Sequence, residues 1–254
     1  QIKSDFASKG SGSVKGTSVN LSLNSKNSDA LSNGLVGYWK MDESATPSVD
    51  SSGNGNSGTW FGSTAATSGK YGNGGSFNGT SDYIEMADTP SLSPGGAFTF
   101  STWIYQTAAC TSDCIIFNKE SEYEWRILNG SVDYAIANTS PGWNWISTGI
   151  TISQNTWTHL ILTYDSNTQE IKAYKNGDLV YTRTSSTGTI GDAGQTLRLA
   201  ARSGPGSFFG GKLDETRIYN RALSPKEVRD LYNSAPGPKA YYSFDEGSGT
   251  TLRD

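Results

Sequence analysis

Histidine and cysteine are nearly absent from this chain: its 254 residues hold one His and two Cys. Most zinc, haem and iron–sulfur centres are excluded for want of ligands. A Ser–His or Cys–His nucleophile would have to use His159. Charge is scarce as well. Only 17% of residues are Asp, Glu, Lys or Arg, and a net charge of −4 leaves no basic footprint for nucleic acid. No apolar run approaches the roughly 18 residues that a membrane-spanning helix needs, so no membrane insertion is expected. What fills the chain instead is glycine (30) and aromatic side chains (7 Trp, 13 Tyr, 9 Phe). Aromatics favour strands and glycine favours the turns between them, and this length suits one large all-β domain.

The segment Gly34 to Glu43 (GLVGYWKMDE) recurs as Gly237 to Glu246 (GPKAYYSFDE), with Tyr38 matching Tyr241 and Asp42-Glu43 matching Asp245-Glu246. Gln1 to Phe6 is likewise similar to Glu227 to Tyr232. Self-similarity in a fixed order is the mark of repeated modules. The expected organisation is the tail of a preceding repeat at 1–6, a linker or added edge strand at 7–33, one complete domain at 34–233, and a linker with the first strand of a following repeat at 234–254. Within the linker, Ser18 to Leu23 alternates polar and apolar residues, which favours the edge strand.

Alternation of period two dominates the centre. Phe98, Phe100 and Ile104 fall on one side of a strand, and Thr99, Ser101 and Trp103 on the other. Thr158, Leu160, Leu162 and Tyr164 alternate in the same way with Trp157, His159, Ile161 and Thr163. Two Asn-Gly pairs, Asn129-Gly130 and Asn176-Gly177, suit type I′ hairpin turns, whose central residues both need positive φ. One helix is signalled. Ser224 is its N-cap, Pro225 its first residue and Glu227 the partner of a capping box, and Val228, Leu231 and Tyr232 share a face that should pack on a sandwich edge. The fold expected is an all-β, two-sheet antiparallel sandwich of jelly-roll type with one short C-terminal helix.

Several segments occur in a telling order: GLVGYWKMDE, DSSGNGNSG (Asp50 to Gly58), FNGTSDYIEM (Phe77 to Met86), FTFSTWIY (Phe98 to Tyr105), NTWTHLILTYD (Asn155 to Asp165), IKAYKNGDLV (Ile171 to Val180) and GGKLDETRIYNRALSPKEVRDLY (Gly210 to Tyr232). As a set they closely resemble a laminin G-like domain of the concanavalin A-like lectin/glucanase superfamily, in the form common in bacterial surface and secreted proteins. The resemblance implies a two-sheet jelly roll, tandem repetition, and a carbohydrate-binding or adhesive role outside the cell. It does not name the sugar. It also implies one structural calcium (Ca2+) where the first strand, the FNG turn and the LDE strand meet. Its ligands would be Asp42, the Gly79 carbonyl and Asp214, with Asp50 and Asn54 as further oxygen donors. Against this, Asp50 to Gly55 can form a turn through Asp and Asn alone.

Cys110 and Cys114 have no further cysteine or neighbouring histidine, so a disulfide-closed loop is expected of an exported protein, with reduced thiols as the alternative. For sugar contact the expected platform is Trp143 and Trp145, which share a face if extended, joined by Trp125 and Arg126 on the preceding hairpin. Phe208-Phe209 is a weaker candidate, and Trp39, Trp103 and Trp157 are expected in the core. The stretch Glu120-Ser121-Glu122-Tyr123-Glu124 is similar to the alternating carboxylates of laminarinase- and lichenase-type retaining glycosidases. It departs from them at Glu122, where those enzymes carry Asp, and lacks the apolar residue after the first Glu. A solvated acidic face paired with Lys119 and Arg126 is the competing reading. His159 is expected to be structural, and Glu215 and Arg217 to pair. The sequence thus points to a non-catalytic extracellular module that contacts a glycan or polysaccharide. A structural spacer or adhesion domain, meeting cell-surface proteins or neighbouring repeats, is the first alternative, and a retaining glycoside hydrolase using Glu120 and Glu124 the second.

Overall fold

The computed structural model describes residues 30–140, 142–204 and 207–234. The expected tail at 1–6, most of the linker or edge strand at 7–33 and the second copy of the repeat at 237–246 lie outside the described residues. Fifteen strands follow one another: β1 (Leu35–Trp39), β2 (Gly58–Phe61), β3 (Ala65–Ser68), β4 (Asn73–Asn78), β5 (Tyr83–Met86), β6 (Ala97–Gln106), β7 (Cys114–Lys119), β8 (Tyr123–Leu128), β9 (Ser131–Ile136), β10 (Ile146–Thr151), β11 (Thr158–Asp165), β12 (Glu170–Lys175), β13 (Asp178–Arg183), β14 (Leu197–Leu199) and β15 (Gly210–Tyr219). They build two antiparallel sheets. The eight-stranded one runs β13-β12-β11-β6-β15-β4-β3 with β1 also on β15, and the seven-stranded one runs β10-β9-β8-β7-β14-β5-β2. The first and last strands meet: Tyr38 lies opposite Arg217 and Trp39 opposite Thr216.

One apolar core lies between the sheets, and the two-residue period decides which side chains enter it. Phe98, Phe100 and Ile104 of β6 point inward with Leu160, Leu162 and Tyr164 of β11 and Tyr123, Trp125 and Ile127 of β8. Both Asn-Gly turns have two successive positive φ values, 50° and 78° at Asn129-Gly130 and 52° and 84° at Asn176-Gly177. The Cys110–Cys114 disulfide is present, with Cα atoms 5.7 Å apart. The Cys110 carbonyl accepts the Asn129 N–H, which ties this small loop to the β8–β9 turn.

The helix α1 (Pro225–Asn233) has the full capping box between Ser224 and Glu227. It packs on the outer face of the eight-stranded sheet and not on an edge. Ile161, Tyr174 and Tyr219 point outward there and form a second apolar cluster with Leu223, Val228 and Leu231. A sheet whose outer side is this apolar needs a cover, and the helix supplies it. Beside the helix, Trp103 is stacked on His159 at 4.9 Å and on Tyr232 at 5.5 Å, and Lys70 Nζ lies 4.4 Å from its ring centre. His159 is the structural residue expected. It is buried, shares a 2.9 Å hydrogen bond with Ser101 Oγ, and burial, with Arg217 and Lys70 nearby, pushes its pKa down to about 3. Glu215 and Arg217 do pair. Trp157, expected in the core, is only half-buried and lies against Tyr105, because it precedes β11 and is not held by its ladder. No helix among the described residues is long and apolar enough to cross a membrane.

Leu231 anchors the helix with 3% of its surface exposed. Leu231→Ala is expected to cost about 2–4 kcal/mol, read from the urea unfolding midpoint. A loss below about 1 kcal/mol would mean that the helix is not docked on this sheet.

Candidate functional site

The two sheets differ in what lies on their outer sides. The central strands of the eight-stranded sheet are covered by α1 and by the turn at 69–73. The outer face of the seven-stranded sheet carries polar and aromatic side chains from β10 across to β2, and it holds the candidate site.

At the β8–β10 end, the Arg126 guanidinium lies 4.1 Å from the Trp145 ring centre. It is held from behind by Asp113 at 2.8 Å and Asp133 at 3.0 Å. Trp145 is half-buried, and so is Trp143 in the loop before it. The expected partnership of Arg126 with Trp145 therefore exists, but Trp125 does not join it. Trp125 is 1% exposed and stacks on Phe117 at 5.4 Å inside the core. Neighbouring residues of one strand face opposite sides, so Trp125 and Arg126 cannot share a platform.

In the middle stand the acidic residues. Glu120 to Glu122 do not continue a strand with Glu124, as the alternation suggested. They form the turn joining β7 to β8, with Ser121 at φ 63°, and Lys119 lies opposite Tyr123. Glu120 and Glu124 meet nevertheless. Asn118 Nδ2 donates to Glu120 at 3.1 Å and to Glu124 at 2.5 Å, and Arg202 Nε lies 3.2 and 3.0 Å from the same two carboxylates. The Glu124 side chain is 1% exposed, and its Oε2 has no hydrogen-bond partner. Burial, reinforced by Glu120 and opposed by Arg202, pushes its carboxyl up to about 7. Glu122 points elsewhere. It grips the fully buried Lys119, which also reaches Asp88 at 2.9 Å. These carboxylates and Asp192 form an acidic group that already surrounds a cation.

At the β5–β2 end, beside the weaker candidate Phe208 (its neighbour Phe209 is buried), lie residues that the sequence reading missed. Phe61, 37% exposed, stacks parallel on Tyr83 at 4.7 Å. Phe208 lies 6.4 Å from Tyr83. Arg198 lies 4.8 Å from the Tyr83 ring centre and pairs with Glu85 at 2.7 Å. The signal was present: Tyr83 and Glu85 alternate with Ile84 and Met86, and Arg198 stands between Leu197 and Leu199. Three inter-strand steps separate β8, which carries Arg126, from β5, which carries Tyr83, a lateral spacing of about 14 Å.

The five oxygen donors expected around calcium come from strand β15, which carries Asp214, and from three loops, those holding Asp42, Asp50 with Asn54, and Gly79. Asp42 Oδ1 accepts from Asn73 N at 2.9 Å, and Asp214 Oδ2 accepts from Lys70 N and Tyr71 N at 2.7 and 2.9 Å. These two carboxylates hold one turn between them. Asp214 Oδ1 is buried without a partner, and burial, with Glu215 adjacent, pushes its carboxyl up to about 7. Gly79 belongs to another turn, beyond the far end of β4, where its φ of 76° brings it against Gly210. Asp50 is filled by donors from Tyr38 N, Ser52 N, Ser52 Oγ and Asn56 N, each at 2.9 Å, and Asn54 Nδ2 donates to Leu35 O. The five do not fit one ion as a shared shell, so calcium carries no part of the function argued below.

A family model described as the concanavalin A-like lectin/glucanases superfamily matches residues 78–229. In structure the chain is similar to domain 4 of AbnA, a GH43 extracellular arabinanase from Geobacillus stearothermophilus solved in complex with arabinotriose. The identity is 26% and the TM-score 0.63, over 78% of this chain and 98% of that one. It is also similar to the binding domain of Paraclostridial mosquitocidal protein 1 (19% identity, TM-score 0.67, covering 80% of this chain and 52% of that one). The binding domain of botulinum neurotoxin DC in complex with SialylT matches at 13% identity and TM-score 0.65, over 80% and 52% of the two chains. At those identities the toxin domains share the fold, and this chain spans about half their length. No curated protein matches the chain.

The buried Glu124 makes stability depend on pH. The native carboxyl keeps its proton up to about pH 7, whereas the unfolded one gives it up near 4.5. The native state therefore binds more protons across that interval, and this group's contribution falls as pH rises through it. From pH 5 to pH 7.5 the wild type should lose on the order of 1–3 kcal/mol relative to Glu124→Gln, measured by urea unfolding. Parallel stability curves for the two proteins would show that Glu124 titrates normally.

Proposed function

Because the chain belongs to the concanavalin A-like lectin/glucanases superfamily, we propose that it is a carbohydrate-binding module whose glycan lies on the outer face of the seven-stranded sheet. One observation carries this reading: among the described residues that face is the one left without a covering helix, and its two ends present aromatic rings braced by guanidinium groups. Sugar sites pair a flat aromatic surface, which stacks on the C–H face of a ring, with a few fixed polar groups that bond hydroxyls. Trp145 with Arg126 at one end, and Phe61 and Tyr83 with Arg198 at the other, have that composition. The rigidity also fits. Each guanidinium is anchored by carboxylates, so little side-chain entropy is lost when a sugar binds. The arabinotriose complex of the arabinanase domain is consistent with a neutral oligosaccharide ligand.

The module acts outside the cell as one unit of a repeat-bearing chain, where it attaches its parent to a polysaccharide or a glycosylated surface. The Cys110–Cys114 disulfide suits an oxidising compartment. Binding is favoured over hydrolysis by the state of the two glutamates. A retaining glycosidase needs a nucleophile and an acid/base open to the same glycosidic bond, whereas the Glu124 side chain is 1% exposed and Glu120 is engaged with Arg202.

Trp145→Ala should weaken binding to the best oligosaccharide of a glycan array at least tenfold, about 1.4 kcal/mol, with the unfolding midpoint unchanged. Trp125→Ala should instead cost about 3–5 kcal/mol of stability as a core truncation. EDTA should leave affinity within twofold, because no ion enters the proposed contact. Unchanged glycan binding in both Trp145→Ala and Phe61→Ala would remove this face as the site.

A further inference from the structure

Among the described residues, three guanidinium groups stand on the outer face of the seven-stranded sheet, and all three are already engaged. Arg126 is held by Asp113 and Asp133, and Arg198 by Glu85. Arg202 is held by both Glu120 and Glu124. Five carboxyl groups thus face three cations, and with Glu124 protonated four still do. The lysine nearest this face adds nothing to it. Lys119 is fully buried, turned under the β7–β8 turn, and enclosed by Asp88, Glu122 and Asp192. Asp88 and Asp192 stay partly exposed at the rim, with side-chain exposures of 32% and 46%, so the border of the face is acidic too.

We propose that this face selects neutral glycans and rejects acidic ones such as uronate-, sialate- or sulfate-bearing chains. The inference rests on the face being the glycan site and specifies which glycans it takes. An acidic sugar gains affinity by pairing with a free guanidinium or ammonium. Here it would have to pull an arginine from its carboxylate and leave that carboxylate half-buried and unpaired, which is costly. It would also approach through a field of its own sign. A hydroxyl meets no such obstacle. The carboxylates accept its proton and the bridging N–H groups donate to its oxygen, without any ion pair being broken. Specificity here comes from what the face repels as much as from what it holds.

The test is isothermal titration of the full chain with matched pairs: neutral arabino-, xylo-, gluco- and galacto-oligosaccharides against uronate-, sialate- or sulfate-substituted chains of equal length. The expected result is at least a tenfold preference for the neutral member. Asp113→Asn, which releases one bond to Arg126, should shrink that ratio at least threefold, and Glu85→Gln should do the same through Arg198 if the first variant does not fold. Raising ionic strength from about 0.01 M to about 0.15 M should also narrow the ratio, since the Debye length falls from about 30 to about 8 Å. Equal or tighter binding of the acidic member would overturn the selectivity while leaving the glycan site in place. A ratio that moves with neither salt nor substitution would overturn its electrostatic origin. Failure of every neutral and acidic chain to bind would overturn the carbohydrate reading itself, and the selectivity with it.

Discussion

A strand in a two-layer sandwich must send alternate side chains into the shared core, and nearly everything here depends on that constraint. It places Phe100 beside Leu162 and Tyr123 on the inside, and it leaves Arg126, Glu124, Arg198 and Glu85 on the outside. It is also what separates Trp125 from Arg126. A one-residue slip in β8 would exchange the buried ring for the guanidinium, and the core stacking of Phe117 on Trp125 at 5.4 Å would be lost with it. The register is fixed from within, so the outer face inherits its arrangement from core packing and needs no selection of its own to hold it.

The outer sides then part company through composition. On the eight-stranded sheet, Ile161, Tyr174 and Tyr219 are outward and apolar, and the chain ends its domain with a capped helix that covers them. Trp103, His159 and Tyr232 stack between helix and sheet, and the turn at 69–73 closes the remainder through Asp214. Nothing equivalent is required on the seven-stranded sheet, because its outward residues are charged or polar in the middle and aromatic only at the ends. A domain with one covered and one polar face has, in effect, a back and a front.

The strands, both Asn-Gly hairpins, the helix with its capping box and the disulfide were legible in the sequence, because each rests on local chemistry: period two, positive φ, a Ser-Pro-x-Glu start, two isolated cysteines. The site was legible in part. Arg126 and Trp145 were paired correctly, yet Trp125 was placed with them against the alternation of its own strand. Glu120 and Glu124 were linked on a false premise. They were read as one strand, while the chain turns between them, and they meet because Asn118 and, about eighty residues later, Arg202 each reach both. Phe61, Tyr83, Arg198 and Glu85 escaped notice since they come from β2, β5 and β14, three short strands whose adjacency is a matter of sheet order, and sheet order is not written locally. The expected calcium donors come together only in part: Asp42 and Asp214 hold the same turn, whereas Gly79 and Asp50 lie elsewhere. The resemblance supplied donors but not their distances, and the lone pairs of Asp50 accept from three backbone amides and the Ser52 hydroxyl.

The charges on the open face form a stiff network. Asn118 and Arg202 hold two carboxylates together, and burial, reinforced by the neighbouring Glu120, drives the Glu124 carboxyl up to about 7. That arrangement has the ingredients of an acid and a base but lacks access, since the raised carboxyl lies beneath the guanidinium that tethers it. Opening it to a substrate would mean moving the Arg202 side chain, which would also release Glu120. The same network that gathers the carboxylates therefore keeps them out of reach. What it leaves at the surface is a set of donors, acceptors and rings held in place by ion pairs, the composition on which the proposed glycan contact rests.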